Sequence, residues 1–349
     1  AATGGHEEQD VQQFVVNWSM TYLKYCMCNT THEWRLEAYG IFYNAVNETG
    51  IPVTIENDPP EHPWTWLAPD ANLWGIYDIE DKFDSWVSRI NELQDRNEAP
   101  YGGPYHWNMP DMIQIGNGGQ TSEEYRSQMS MYALLSAPLF LGTDLRTLTQ
   151  ESYDLLTNKN ILAVNQDPLG VQGQRMSQSG DKAQIWSKEM SNGDYVVIFL
   201  NTKKSEMEPL EISWNSLVSF WEGFYFEYGD SYSTSDAIRP YYKNIENING
   251  NKVTTTVTIQ DLWSGEIVAS LNSTKTLFSS DVLESHHCQV LRFSLSQTTE
   301  SPNTNHREEI GWILFLLFVG TALVVLPVII LGVIFVYLKK KKAQIIVDP

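Results

Sequence analysis

From residue 5 to about 160, short β-branched or aromatic runs alternate with longer stretches of helical periodicity, the pattern left by βα units and a parallel sheet. Five strands are predicted, at residues 21–26 (TYLKYC), 51–56 (IPVTIE), 72–79 (NLWGIYDI), around 104–107 (PYHW) and 137–142 (APLFLG). The clearest helix between them covers residues 122–136, where Thr121 and Glu124 stand three apart ahead of an apolar face in the spacing of a capping box. Beyond about residue 176 the period shortens to that of antiparallel strands, AQIWSK, DYVVIFLN, KVTTTVTIQ and CQVLRFSL, separated by Gly, Asn and Ser turns.

One stretch has neither period. Residues 311–338 carry no charge and exceed the ~20 residues that cross a bilayer, so they predict a transmembrane helix, which Pro327 kinks without preventing insertion. Lys339 to Lys342 follow at once and place the tail in the cytosol and residues 1–310 outside it or in a lumen. The predicted order is a βα segment (1–175), an antiparallel β-domain (176–296), a polar Pro-bearing stalk (297–310), a membrane span (311–338) and a cytosolic tail (339–349). The chain opens on Ala with no signal peptide, and a longer protein upstream is expected.

Composition narrows the function classes. With 349 residues, 42% hydrophobic content and twelve Trp, the chain buries cores and is not disordered. A net charge of −20 excludes a nucleic-acid partner, because the clustered Lys and Arg that phosphates require are confined to the extreme C-terminus. Cys26, Cys28 and Cys288 match no zinc spacing and are too few for a disulfide framework. Asn-x-Ser/Thr acceptors at Asn17, Asn29, Asn47 and Asn272 all fall on the non-cytosolic side of the predicted span, as a glycoprotein requires.

Parallel barrels keep their chemistry at the C-terminal ends of the strands. Three such places stand out: residues 23–29 (LKYCMCN), 74–81 (WGIYDIED) and 107–117 (WNMPDMIQIGN). The run WN-x-PDM-x-x-IGNGG, then APLFLGTDLR, then NQDPLGVQG, in that order, resembles the α-galactosidase (melibiase) family, glycoside hydrolase family 27 in type. GHEEQD at the start, AVNETGIP, PWTW and the later QDLW fall in the family's order, and the resemblance covers roughly residues 3–296.

The resemblance implies a (β/α)8 TIM barrel, of which this chain holds about the last five βα units, followed by an antiparallel β-sandwich. It implies hydrolysis of terminal α-linked galactose, or N-acetylgalactosamine, with retention, and neither metal nor cofactor. A retaining glycosidase needs a carboxylate nucleophile and a second carboxyl acting as acid then base, ~5 Å apart. The family's nucleophile sits in K-Y-D-x-C-N, and the matching residue here is Cys26, between Lys24-Tyr25 and Cys28-Asn29. Its acid/base sits in W-R-x-x-x-D-I, matched by Asp78 in a pattern one residue short that lacks the Arg, and the ordinary role of Asp78, along with Glu80 and Asp81, is that of acids at the start of a helix. Sugar contacts carried over by the resemblance are Lys24, Asp111 and Met112, with Glu56 at the turn that reads the 2-position and Met109 where the family has an aspartate. Trp64, Trp66, Trp74 and Trp107 are candidates for stacking on a sugar face, with packing the ordinary role of any one Trp.

Three readings stay open at this point. The chain is an active galactosidase with another carboxylate in place of the lost one, a membrane-anchored pseudoenzyme that binds terminal α-galactosyl glycans, or a protein with no sugar site left. The sequence sets no oligomeric state.

Overall fold

The computed structural model describes residues 4–26, 31–57, 71–75, 79–95, 101–179, 183–228, 247–248 and 251–299. Among them no helix is long and apolar enough to cross a membrane. The predicted span at 311–338, the tail at 339–349 and all of the stalk beyond residue 299 lie outside the described residues, as do Cys28, Trp64, Trp66 and Asp78. The chain forms two compact units, Ala1–Asn244 with Thr255–Gln297 and Ile245–Thr254 with Thr298–Pro349.

The first unit opens with helix α1 (Glu7–Val11), which continues as a π-helical turn over Gln12–Asn17. Strands β1 (Tyr22–Tyr25), β2 (Thr54–Asn57), β3 (Leu73–Gly75) and β4 (Trp107–Met109) then form a four-stranded parallel sheet in that order. Helix α2 (His32–Glu48) connects β1 to β2, and α3 (Phe83–Asp95) connects β3 to β4. This is part of a barrel, with β1 as an edge strand.

Alternation decides which residues each face shows. Leu23 and Tyr25 of β1 pack with Ile55, Trp74 and the α2 residues Tyr39, Phe42 and Val46, whereas Tyr22 and Lys24 stay on the opposite, open face. The side chain of Thr31 caps α2, and Gly50, at φ +66°, takes the left-handed turn that ends it, donating to the Asn47 carbonyl at 3.0 Å.

Two predicted strands are corrected. Around 104–107, Tyr105 at φ +72° and the Gly103–His106 bridge make a tight turn, and Pro104 has no N–H to donate, so the strand begins only at Trp107. The 137–142 run makes a single parallel bridge, Leu141 with Ile113, instead of a strand. Ser136 at φ +53° and Pro138 prevent extended pairing from starting earlier, and Asn165 holds the Ala137 carbonyl at 2.8 Å.

Helix α4 (Ser122–Leu134) has both halves of the predicted capping box: the Thr121 hydroxyl accepts from the Glu124 amide and the Glu124 carboxylate accepts from the Thr121 amide. Nine of its residues are buried, Tyr125 and Ser127 to Leu134, because the chain covers it on nearly every side. Thr121→Ala should cost about 1 kcal/mol of stability, recovered by Thr121→Ser. Thermal unfolding checks this, and an unchanged midpoint in the alanine variant would remove the cap from the argument. Short helices α5 (Gln150–Thr157) and α6 (Lys159–Asn165) follow.

The β-domain begins at β5 (Gln174–Ser179) and continues through β6 (Ala183–Glu189), β7 (Tyr195–Asn201) and β8 (Glu211–Ile212). After helix α7 (Trp214–Tyr228) come β9 (Asn247–Ile248), β10 (Asn251–Asp261), β11 (Ile267–Leu271), β12 (Phe278–Ser279) and β13 (Cys288–Thr299). The main sheet runs β11-β10-β13-β7-β6-β5, with β12 and β8 paired apart. In the second unit, β9 pairs antiparallel with Asn251 and Lys252.

Every residue of β7 is buried, because the sheet is covered on both faces. Val196, Ile198 and Leu200 join a core with Trp86, Met129 and Tyr132, while Val197 and Phe199 join another with Leu217, Trp221 and Phe224 of α7. Helix α7 is absent from the sequence reading of the β-domain. Its Leu217, Trp221 and Phe224 nevertheless recur at helical spacing, and the Trp221 indole donates to Ser187 of β6 at 3.0 Å.

Candidate active site

The residues singled out for sugar chemistry lie at two places. The first is the end of β1 and β2. Lys24 and Glu56 are direct register partners, which puts both side chains on one face. The Lys24 ammonium lies 2.8 Å from Glu56 Oε1, with the lysine side chain 37% exposed and the glutamate only 4%. The Tyr22 hydroxyl donates to the other glutamate oxygen. A carboxylate this buried needs a cation and a donor, and it has both.

Cys26 follows the last residue of β1 and is exposed. It stands two residues after Lys24, just beyond the paired part of the sheet.

The second place is the turn after β4. Asp111 sits at φ +82°, a left-handed backbone that a non-glycine residue holds only when its surroundings fix it. Its two oxygens accept from backbone amides, Oδ1 from Met112 at 2.7 Å and Oδ2 from Ile79 at 3.1 Å. The Tyr132 hydroxyl donates to the neighbouring Pro110 carbonyl at 2.9 Å. Burial pushes the Tyr132 phenol well above its ordinary pKa, and the Asp111 charge pushes it further in the same direction, so it remains a donor. Met112 is 45% exposed, available to a ligand.

Asp78 lies outside the described residues, but the next residue, Ile79, is the one whose amide Asp111 holds. Trp74 is fully buried and donates to Asn108 at 2.5 Å, and Asn108 in turn donates to Gln172 at 2.6 Å, so this indole is packing and not a sugar platform. Met109 is buried too. Trp107 is half-buried.

The sequence reading treated Asp81 only as one of several acids at the start of a helix. It is the acceptor of a convergent set of donors: the Gly119 amide at 2.6 Å, the Gln120 side-chain amide at 2.9 Å and the Tyr125 hydroxyl at 2.9 Å. The available signal was the G-N-G-G run itself, whose bare amides need an acceptor from elsewhere.

The NQDPLG motif also has a definite task. Asn165 spans to Ala137, and Asp167 accepts from the amide and hydroxyl of Ser191, in the turn after β6. It ties the barrel segment to the β-domain.

Comparison with known proteins places this geometry in a family. The family profile described as alpha galactosidase A matches residues 2–167, and that of the alpha galactosidase C-terminal beta sandwich domain matches residues 180–238. The chain is 38% identical to an alpha-galactosidase of Oryza sativa over 215 residues, 61% of this chain and 50% of that protein. It is 32% identical to an alpha-galactosidase of Cyamopsis tetragonoloba over 292 residues, 82% of this chain and 60% of that one. Among solved structures, alpha-galactosidase I from Mortierella vinacea superposes with a TM-score of 0.66 at 25% identity, covering 85% of this chain and 73% of that one. The chain thus spans about half to three-fifths of the length of these two curated relatives. It belongs to the α-galactosidase (melibiase) family of glycoside hydrolases, of which it carries part of the TIM barrel and the C-terminal β-sandwich.

Proposed function

We propose that the protein recognises terminal α-galactosyl groups through Lys24, Glu56, Asp111 and Met112, and that its hydrolysis of them is impaired because Cys26 occupies the nucleophile position. The observation that carries this reading is the Lys24–Glu56 ion pair, ordered across β1 and β2 two residues before an exposed Cys26. The half-exposed ammonium offers a sugar hydroxyl a donor, and the buried Glu56 carboxylate fixes where that ammonium points.

In the retaining mechanism the nucleophile's carboxylate attacks the anomeric carbon as the acid/base, here Asp78, protonates the leaving oxygen. A cysteine supplies neither a fixed negative charge beside the oxocarbenium-like transition state nor the same reach. A thiol becomes a competent nucleophile when nearby positive charge favours its thiolate. The nearest lysine along the strand, Lys24, already neutralises Glu56.

The uncharged stretch 311–338, followed by Lys339 to Lys342, supports a single-pass tether that keeps the sugar-handling domains outside the cytosol, facing glycans. The exposure of Asn17, Asn47 and Asn272 is compatible with glycosylation on that side.

Binding is tested first. Ligand that binds only the native state stabilises it by mass action, about 2.7 kcal/mol at a hundredfold excess over Kd. Galactose at millimolar concentration should raise the unfolding midpoint of the full-length protein, and glucose, its 4-epimer, should raise it less. Equal midpoints with and without galactose would leave a protein with no sugar site and end this reading.

A further inference from the structure

The segment Ile79–Asp81 touches both ends of the loop that runs from Asp111 to Gln120. At one end the Ile79 amide donates to Asp111, and at the other the Asp81 carboxylate accepts from Gly119, Gln120 and Tyr125. Within the loop, Gly116 and Gly118 have φ of +96° and +90°, so its path is held by contacts and not by a regular element. The Gly118 amide donates to the Tyr125 hydroxyl at 2.7 Å, and Asn117 donates to Gln114 and to the Gly142 carbonyl. Gln120 is held in turn by the Trp86 indole at 2.8 Å, so the Asp81 contact is continuous with the core under α3.

We propose that Asp81 is a positioning residue: by clamping the Gly118–Gln120 end of this loop against the Ile79–Asp81 segment, it holds Asp111 and Met112 at the other end in the geometry that contacts sugar. The proposal rests on the sugar-binding reading above. Its physical basis is that one carboxylate satisfies three donors, two on the loop and one on α4, while the residue it positions sits in a left-handed backbone that must be held from outside. An amide in its place has one acceptor oxygen, and its NH2 faces a donor. Glycine at 119 belongs to the same contact: a Cβ there would stand 2.2 Å from the Asp81 carbonyl.

The test uses the full-length protein with Asp81→Asn, the milder Tyr125→Phe, and Glu80→Gln as control, since Glu80 pairs with Lys82 on the surface. Galactose affinity is read by calorimetry well below each variant's unfolding midpoint, and amide hydrogen exchange is read at Met112, whose amide bonds to Asp111 at the other end of the loop from Gly119 and Gln120. The expected result is about tenfold weaker galactose binding and faster Met112 exchange in Asp81→Asn, a smaller change of the same sign in Tyr125→Phe, and neither in Glu80→Gln. A lower midpoint with unchanged affinity and unchanged Met112 exchange would make Asp81 merely structural and overturn the proposal. If the unsubstituted protein binds no galactose, the sugar-binding reading falls; the clamp is then decided by Met112 exchange alone, which must still rise in Asp81→Asn.

Discussion

Cys26→Asp is expected to create, or raise by at least about a hundredfold, hydrolysis of a nitrophenyl α-galactoside by the full-length protein. The substitution puts a carboxylate at the position directly after β1, two residues from Lys24, and Cys26 is exposed, so the fold has room for it. The new charge is exposed and not in an apolar core, so it needs no buried partner. Asp78→Asn in the same background should abolish the gain, because the leaving oxygen then lacks its acid. Turnover by the unsubstituted protein at a rate Cys26→Asp does not improve would mean that another group does the work at this position, and the reading of Cys26 would be wrong. An inert Cys26→Asp variant that still binds galactose would place the defect elsewhere, with the lost Arg of the W-R-x-x-x-D-I pattern the next position to examine.

How far the sequence could be read depended on whether local rules or tertiary contacts decided each element. Thr121 and Glu124 announce the start of α4 because a capping box is satisfied within four residues. The run YVVIFLN reads as a strand wherever it sits, since β-branched and aromatic residues suit a sheet buried on both sides. Helix α7 was passed over for the converse reason. Its Trp, Phe and Tyr content suggests strand, and only the facing surface of β6 and β7 makes a helix of it. The APLFLG run has strand composition, yet Ser136, Pro138 and the Asn165 contact leave it one bridge.

At the candidate site, the motifs single out Lys24, Glu56, Asp111 and Met112, but not what each side chain touches. That Lys24 pairs with Glu56 follows from strand register, which links residues 32 positions apart and is invisible to local pattern. Asp81 was hidden by a rule that is usually right. Acids at a helix start are generally there for the dipole, and only the approach of the glycine loop gives this one a different task.

The junction between the barrel segment and the β-domain yields the second large effect. Lys188 of β6 is completely buried, and its ammonium donates at 2.6 Å to the Ser136 hydroxyl and at 2.6 Å to the Val164 carbonyl. Burial lowers its pKa from 10.5 to about 8, with the Asp167 charge pulling it partly back. Between these two values the unfolded chain keeps a proton that the folded chain has released. Stability therefore rises as pH climbs from about 8 to 10.5, by about 3 kcal/mol for this group, and falls back as pH drops through the folded pKa. Lys188→Met keeps the volume and removes the charge, so urea unfolding should show the slope in the unsubstituted protein and not in the variant. At pH 7 the methionine variant should lie within about 1.5 kcal/mol of the parent, because losing the charge offsets the two hydrogen bonds it made. Lys188→Ala has no such compensation. It leaves a cavity and a carbonyl without its donor between the barrel segment and the β-domain of the first unit, and should cost about 3 kcal/mol or more. A methionine variant that retains the full pH slope would assign it to other groups, and an alanine variant as stable as the parent would mean that Lys188 does not pin this junction.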